Sequence, residues 1–349
     1  MTRALRTIRQ RLFATPLDIA ITLVLTLLLW RILVPVIDWM LLDATFSGTT
    51  RADCTGAGAC WVFVRARFGQ FMYGLYPPTE RWRVDLAGLI LVATVALLFW
   101  KRLPARRAVA VAAVIILPPL GIWLLAGGLG LPYVETREWG GLMLTVFISL
   151  YAGLIAIPLG ILLALGRRSE LPVIKMLSII FIEFWRGVPI VAVIFLASIL
   201  LPLIMPSGVG VDRLARAVIG LGLVIAAYMA EAVRGGLQAI PEGQHDAAAA
   251  LGLGYWRATA FIILPQALRI SLPAITNEFI ALVKNTTLVL IVSILDLLGI
   301  AQAALADPSW VGMNKEAYAF AGLLYWIGCF GLSRFAFALE RKRAKEEQH

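Results

Sequence analysis

Apolar runs of about 20 residues recur along the whole chain, and each is long enough to cross a bilayer as a helix. They cover residues 17–37, 84–100, 108–126, 141–165, 173–205, 215–240, 272–298 and 317–339. The runs are continuous rather than alternating, so they read as helices and not as barrel strands. Composition agrees: 60% of the 349 residues are hydrophobic and 15% are charged, and the mean hydropathy is +0.86. So few polar residues could not cover a water-facing surface of this size. The expected fold class is an all-α integral membrane protein with about eight transmembrane helices.

The net charge of +10 would suggest nucleic acid in a soluble protein. Here the basic residues stand in short clusters between apolar runs. That placement reads as the positive-inside signal and as attraction to anionic lipid headgroups, with the lipid bilayer as partner and no nucleic acid. The clusters are Arg3, Arg6, Arg9 and Arg11, then Lys101, Arg102, Arg106 and Arg107, then Arg167 and Arg168, then the basic tail at 341–349. With eight spans all four fall on one face. Both termini are therefore expected in the cytoplasm, with loops near residues 50, 135, 210 and 308 outside. Arg51, Arg65, Arg67, Arg81 and Arg83 run against this pattern, in a longer loop that also holds acidic residues.

The basic start and first apolar run have the outline of a signal peptide. The run is too long for one and no small-residue cleavage site follows, so an uncleaved span is expected. Arg31 would lie near its outer end, where its head can snorkel to the interface. Pro118 and Pro119 should kink or break the third run. The run at 173–205 is interrupted by Glu183, Arg186, Gly187 and Pro189.

Several chemistries lack their residues. There is no G-x-x-x-x-G-K-[ST] phosphate loop, no H-E-x-x-H and no G-x-S-x-G. The only histidines are His245 and His349, and no His/Cys cluster has metal-site spacing. An intramembrane enzyme is not expected, nor any cofactor on this chain. Transport, a channel or a structural role remain.

The most informative stretch lies between the sixth and seventh runs, at residues 241–265, reading PEGQHDAAAALGLGYWRATAFIILP. Asp246 precedes four alanines, so a short helix with an acid near its start is expected. Gly252 and Gly254 should stop it and allow a sharp turn. Leu251, Leu253, Tyr255 and Trp256 then stand at the turn, and four large apolar residues on a cytoplasmic loop call for a partner surface or the membrane interface. Arg257 adds a charge that could pair with an acidic partner.

This stretch resembles the loop of importer permeases from ATP-binding-cassette systems, which reads E-A-A, three residues, G, nine residues, I-x-L-P. Here the pattern is Asp246-Ala247-Ala248, Gly252 and Ile262-Ile263-Leu264-Pro265 at the same spacing, with Asp in place of Glu. The resemblance implies that residues 241–271 form a coupling loop docking on a cytoplasmic ATPase. It also implies a five-helix type I importer core at 140–340, preceded by a three-helix extension at 1–139.

Three more stretches extend it. Glu183-Phe-Trp-Arg-Gly-Val-Pro189 is similar to the E-x-x-R-G-T-P segment of polar amino acid permeases. Tyr228-Met-Ala-Glu-Ala-Val-Arg-Gly-Gly236 is similar to their A-Y-x-x-E-x-x-R-G, and Asn277 to Thr287 to their N-x-x-I-x-x-x-K-[DN]-[TS]-[ST]. The three extra spans, Cys54 with Cys60 and the segment at 76–83 look like the longer permeases of general L-amino acid uptake. The resemblance implies passage of L-amino acids into a bacterial cell across its inner membrane. ATP and magnesium would be bound by a separate ATPase pair. A second permease subunit and a periplasmic amino-acid-binding protein would complete the system.

Charged side chains within apolar runs line pathways or pair with one another. Glu183 with Arg186, and Glu231 with Arg234, have the spacing of helical neighbours. They could form a gate or substrate contact, or two local ion pairs that only join helices. Lys284 and Asn285, with Asn277 two turns earlier, could meet a substrate carboxylate or a helix seam. Cys54 and Cys60 lie in a Gly-rich outer loop where oxidation is permitted, and a disulfide is expected there, with two free thiols as the alternative. A secondary transporter driven by an ion gradient is the rival function. It needs no docking loop and usually has broken helices in matching halves.

Overall fold

A computed structural model of the chain describes residues 12–100, 103, 105–204 and 210–346. The basic clusters at residues 3–11 and 101–102, the end of the fifth apolar run at residue 205 and the last three residues, His349 among them, lie outside the described residues. The described chain is helical and carries no strand, only isolated bridges. Seven helices are long and apolar enough to cross a membrane, and a bent helix pair brings the number to eight.

Two compact units divide the chain. The first takes residues up to Phe68 together with Leu305–Ala319. Its main helix, α1 (Pro16–Ile37), begins with a reciprocal cap. The Asp18 N–H donates to Thr15 Oγ1 at 3.1 Å and the Thr15 N–H to Asp18 Oδ2 at 3.1 Å, which satisfies two otherwise orphaned donors. None of its residues is buried. A helix apolar on every side and buried on none suits hydrocarbon rather than water.

Past a π turn at Asp38–Leu42, the loop folds back on α2 (Trp61–Tyr73). The Ala59 N–H donates to the Trp39 carbonyl at 2.7 Å and the Trp61 N–H to the Thr45 carbonyl at 2.9 Å. Cys54 and Cys60 are joined by a disulfide with Cα atoms 5.6 Å apart. The Cys60 N–H also donates to Glu316 Oε1 at 3.0 Å. Arg67 pairs with Asp307, and Phe63 packs on Trp310 with ring centroids 5.6 Å apart.

The second unit holds residues Gly69–Ala304 and Phe320 onward. Helices α3 (Arg81–Phe99) and α4 (Arg106–Ala126) come first, then α5 (Gly141–Arg167). Of the kink or break expected at Pro118 and Pro119, the break is absent: α4 passes through both as one helix. The Tyr151 hydroxyl donates to the Pro118 carbonyl at 2.6 Å and ties α5 to α4 beside the two prolines.

Helices α6 (Pro172–Gly187) and α7 (Ile190–Phe195) form the bent pair, with an angle of 102° between α6 and the segment Ile190–Ile204. Val188 and Pro189 make the break: Pro189 has no N–H and holds its predecessor in extended backbone. The core lies between α5 and α8 (Arg213–Gln238), where Ile148, Ala152, Ala156, Leu221, Ile225 and Met229 are buried.

After α8 come α9 (Glu242–Ala250), α10 (Tyr255–Ala258) and α11 (Leu264–Asn285). Gly236 on α8 permits the close crossing with α11, since a Cβ there would lie 2.4 Å from the Ala267 carbonyl oxygen. The seventh span starts earlier than the apolar run suggested. Helix is continuous over Tyr255–Val292, with a π turn at Thr259–Ile263 and a 3₁₀ finish at Thr286–Val292. The finish follows from the two threonines: their hydroxyls donate to the carbonyls of Val283 and Lys284, both at 2.9 Å. Two helices complete the chain, α12 (Leu297–Leu305) and α13 (Asn314–Glu346).

Candidate functional site

The turn at 250–255 is built by glycine geometry. Helix α9 ends with the Gly252 N–H on the Ala249 carbonyl at 2.9 Å and the Leu253 N–H on the Ala248 carbonyl at 3.1 Å. Gly252 has φ +71°. These two bonds around a left-handed glycine are the Schellman ending of a helix. Ala248 is buried beneath the turn, and Leu253 is half-buried. Beyond them the tip is bare: Leu251, Tyr255, Trp256 and Phe261 are exposed, Trp256 by 76%. Arg257 is exposed beside them.

Two details differ from the sequence reading. The acid at the start of α9 is Glu242, because the helix begins right after Pro241. Asp246 and Ala247 stand mid-helix and exposed, and Asp246 caps nothing. Phe261 joins the apolar tip, which the sequence reading did not foresee. Pro265 follows directly on the π turn at Thr259–Ile263, inside the continuous helix, where its missing N–H takes one bond out of the ladder.

The second constellation is ionic. Glu183 and Arg186 on α6 and Glu231 on α8 come together with Arg167 from the end of α5 and Arg234 from α8. Arg167 Nη1 donates to Glu231 Oε1 at 2.7 Å and to Glu183 Oε1 at 3.0 Å. Arg234 Nε donates to Glu231 Oε2 at 2.8 Å and its Nη1 to Gln238 Oε1 at 2.8 Å. Arg186 stays looser, with Nη1 3.9 Å from Glu183 and 4.0 Å from Glu231, and its guanidinium 5.8 Å from the Tyr228 ring centroid.

Three arginines face two glutamates in these bonds, and a third carboxylate stands near Arg186. Glu278 on α11 is an electrostatic neighbour of Arg186. The pairs read as separate helical neighbours are therefore one cluster, and Arg167 is its bridge rather than only a span-end charge. Two carboxylates within apolar spans were the signal that such a bridge was needed.

Asn277, Lys284 and Asn285 share α11 but make no hydrogen bond or ion pair with this cluster among the described residues. Asn277 and Lys284 are exposed, and Asn285 is half-buried.

One polar hub escaped the sequence reading altogether. Asp296 is fully buried. It accepts from the Tyr325 hydroxyl at 2.6 Å and the Gly299 N–H at 3.0 Å, and the Thr286 hydroxyl oxygen lies 3.2 Å from it. Beside it the Leu297 N–H donates to Thr145 Oγ1 at 3.0 Å and the Gly141 N–H to the Leu295 carbonyl at 3.0 Å. Asp296 thus caps α12 and ties it to the end of α11 and to α13. An Asp directly before an apolar run is a helix-start signal, and that was the legible clue.

Residues 156–345, more than half of the chain, match the family described as binding-protein-dependent transport system inner membrane component. The chain is 50% identical to the inner membrane amino-acid ABC transporter permease protein YhdY of Escherichia coli strain K12, over 97% of this chain and 93% of that one. It is 36% identical to BztC of Rhodobacter capsulatus, a glutamate/glutamine/aspartate/asparagine transport system permease, over 99% of this chain and 95% of that one. A crystal structure of an amino acid ABC transporter with histidines is similar in fold, with a TM-score of 0.52 and 28% identity. It covers 92% of its own chain but 58% of this one.

Proposed function

Because the chain belongs to the inner membrane permeases of binding-protein-dependent amino-acid ABC transporters, we propose that it carries L-amino acids into the cell, driven by ATP hydrolysis on a separate subunit. The observation that carries this reading is the bare apolar tip beyond Gly252. Exposed Leu251, Tyr255 and Trp256 gain free energy by leaving water, and a stiff turn can transmit force from the surface that covers them. That surface would be a cytoplasmic ATPase dimer holding ATP and magnesium. A second permease subunit would complete the pathway, and a periplasmic amino-acid-binding protein would deliver the substrate.

For substrate, the ionic cluster offers the recognition chemistry. Arg186 is half-exposed and lacks a close carboxylate partner, so its guanidinium can receive an α-carboxylate. The wider L-amino acid range is proposed from the resemblance of the 1–139 extension to general uptake permeases. BztC, alike along almost the whole chain, is itself named for four amino acids.

The test is reconstitution of the chain with its ATPase, partner permease and binding protein. Amino acid uptake should require ATP and binding protein. Uptake that proceeds on an ion gradient without ATP would overturn the reading.

A further inference from the structure

A groove of 530 Å³ runs between α3, α4 and α5, lined by Leu91, Val95, Leu98, Val114, Leu117 and Val146. No part of the transport mechanism uses it. Its volume falls in the range of about 300–1,000 Å³ that holds a small ligand. From Asp85 to Leu98 it follows α3 for fourteen residues, roughly 20 Å of helix axis. That exceeds one hydrocarbon leaflet, about 15 Å deep, so a single extended acyl chain can lie in it. Gly88 opens its wall, since a Cβ there would meet nothing within 4 Å. Thr94, a polar residue of the lining, spends its hydroxyl on the Ile90 carbonyl at 2.8 Å.

One end of the groove is lined by Tyr73 and Asp85, with Arg81 just beyond the lining on the same helix as Asp85. The Tyr73 hydroxyl donates to Asp85 Oδ1 at 2.7 Å. The guanidinium of Arg81 sits 5.1 Å from the centroid of the same tyrosine ring. Arg81 and Asp85 are one helical turn apart, yet no ion pair joins either of them to another described residue. The Nε of Arg81 is buried without a hydrogen-bond partner. A guanidinium without an ion-pair partner and a carboxylate with spare lone pairs, roughly 6 Å apart along the axis, match a headgroup that carries both phosphate and ammonium.

From this arrangement we infer that the groove binds a zwitterionic phospholipid, with one acyl chain along α3, its phosphate on Arg81 and its ammonium on Asp85. The lipid would fill the space between the added helices and α5. An anionic headgroup of the phosphatidylglycerol kind would satisfy Arg81 but bring no cation to Asp85.

Native mass spectrometry of the full-length chain in its assembled complex, delipidated and titrated with phosphatidylethanolamine or phosphatidylglycerol, tests the inference. Phosphatidylethanolamine should be retained about fivefold better, the worth of one partly exposed ion pair. D85N should erase that preference, and G88W should abolish retention of either lipid. A113L, which narrows the groove from α4, gives the same reading if G88W fails to assemble. Equal retention of the two lipids by the wild-type chain would overturn the inference, as would unchanged retention in the plugged variants. So would a photo-crosslinker at Val95 that captures a neighbouring polypeptide rather than lipid.

Discussion

Arg186 is the least committed cation of the ionic cluster, and its neighbours explain why. Arg167 already spans Glu183 and Glu231 with bonds of 3.0 and 2.7 Å, and Arg234 saturates the second oxygen of Glu231. Replacing Arg186 with Met should therefore lower uptake by at least about tenfold, the worth of one charge-assisted hydrogen bond to substrate. The permease should still assemble with its partners. Lys284→Met is expected to lower uptake as well, because an exposed cation next to the α11 end can also meet a carboxylate. Normal initial rates in both variants would leave these residues structural. Asp296 makes the opposite kind of demand. Tyr325→Phe removes one bond to a buried carboxylate and should cost about 1–3 kcal/mol. Asp296→Ala strands the Tyr325 hydroxyl and the Gly299 N–H together and should cost more. Thermal unfolding of the detergent-solubilised protein reads both, and equal Tm values across wild type and variants would remove the hub from the stability account.

The turn between α9 and α10 separates backbone shape from side-chain crowding. No atom lies within 4 Å of a Cβ built on Gly252, yet its φ is +71°. A substitution there is strained by conformation alone, roughly 1–2 kcal/mol for an ordinary L-residue. Gly252→Val should thus uncouple transport from the ATPase, while Gly252→Asn, which tolerates the left-handed region, should largely retain transport. The measurement is binding-protein-stimulated ATPase activity beside uptake, and equal behaviour of the two variants would reject a backbone role. Asp246→Ala removes no cap, so its effect on the helix should be slight, and a large loss of coupling would point to direct contact with the partner. The glycine ending was legible because glycine after an Ala-rich helix has few other uses. The true start of α9 was less so: Pro241 and Glu242 open the helix, and the acid nearer the alanines drew attention away from them. The bend at Val188–Pro189 was announced by proline. The unbroken passage of α4 through two prolines was not, and the Tyr151 hydroxyl that bonds α4 there comes from 33 residues away.

For the molecule as a whole, the apolar runs foretold seven spanning helices and most of their boundaries, with the bent pair α6 and α7 as the eighth candidate. Contacts between distant helices were not legible in the same way, because Arg167 with Glu231 and Asp296 with Tyr325 depend on packing that a single run does not encode. Orientation rests on a different signal, the side on which lysine and arginine gather. The groups after the second, fourth and eighth spans and before the first share one face when eight spans are counted with α6 and α7 as one broken span. If that pair were instead a re-entrant loop, every later segment would change sides and the basic tail would leave the cytoplasm. The tail at 341–349 and the turn beyond Gly252 would then be exposed outside, where no ATPase can reach the turn. Single cysteines at Thr50 and Arg343, placed in a chain whose own cysteines are replaced by serine, decide between these arrangements. A membrane-impermeant maleimide applied to intact spheroplasts should label position 50 and spare position 343 until the membrane is permeabilised. Labelling of position 343 in intact cells would show seven crossings and would carry the coupling turn to the wrong side of the membrane.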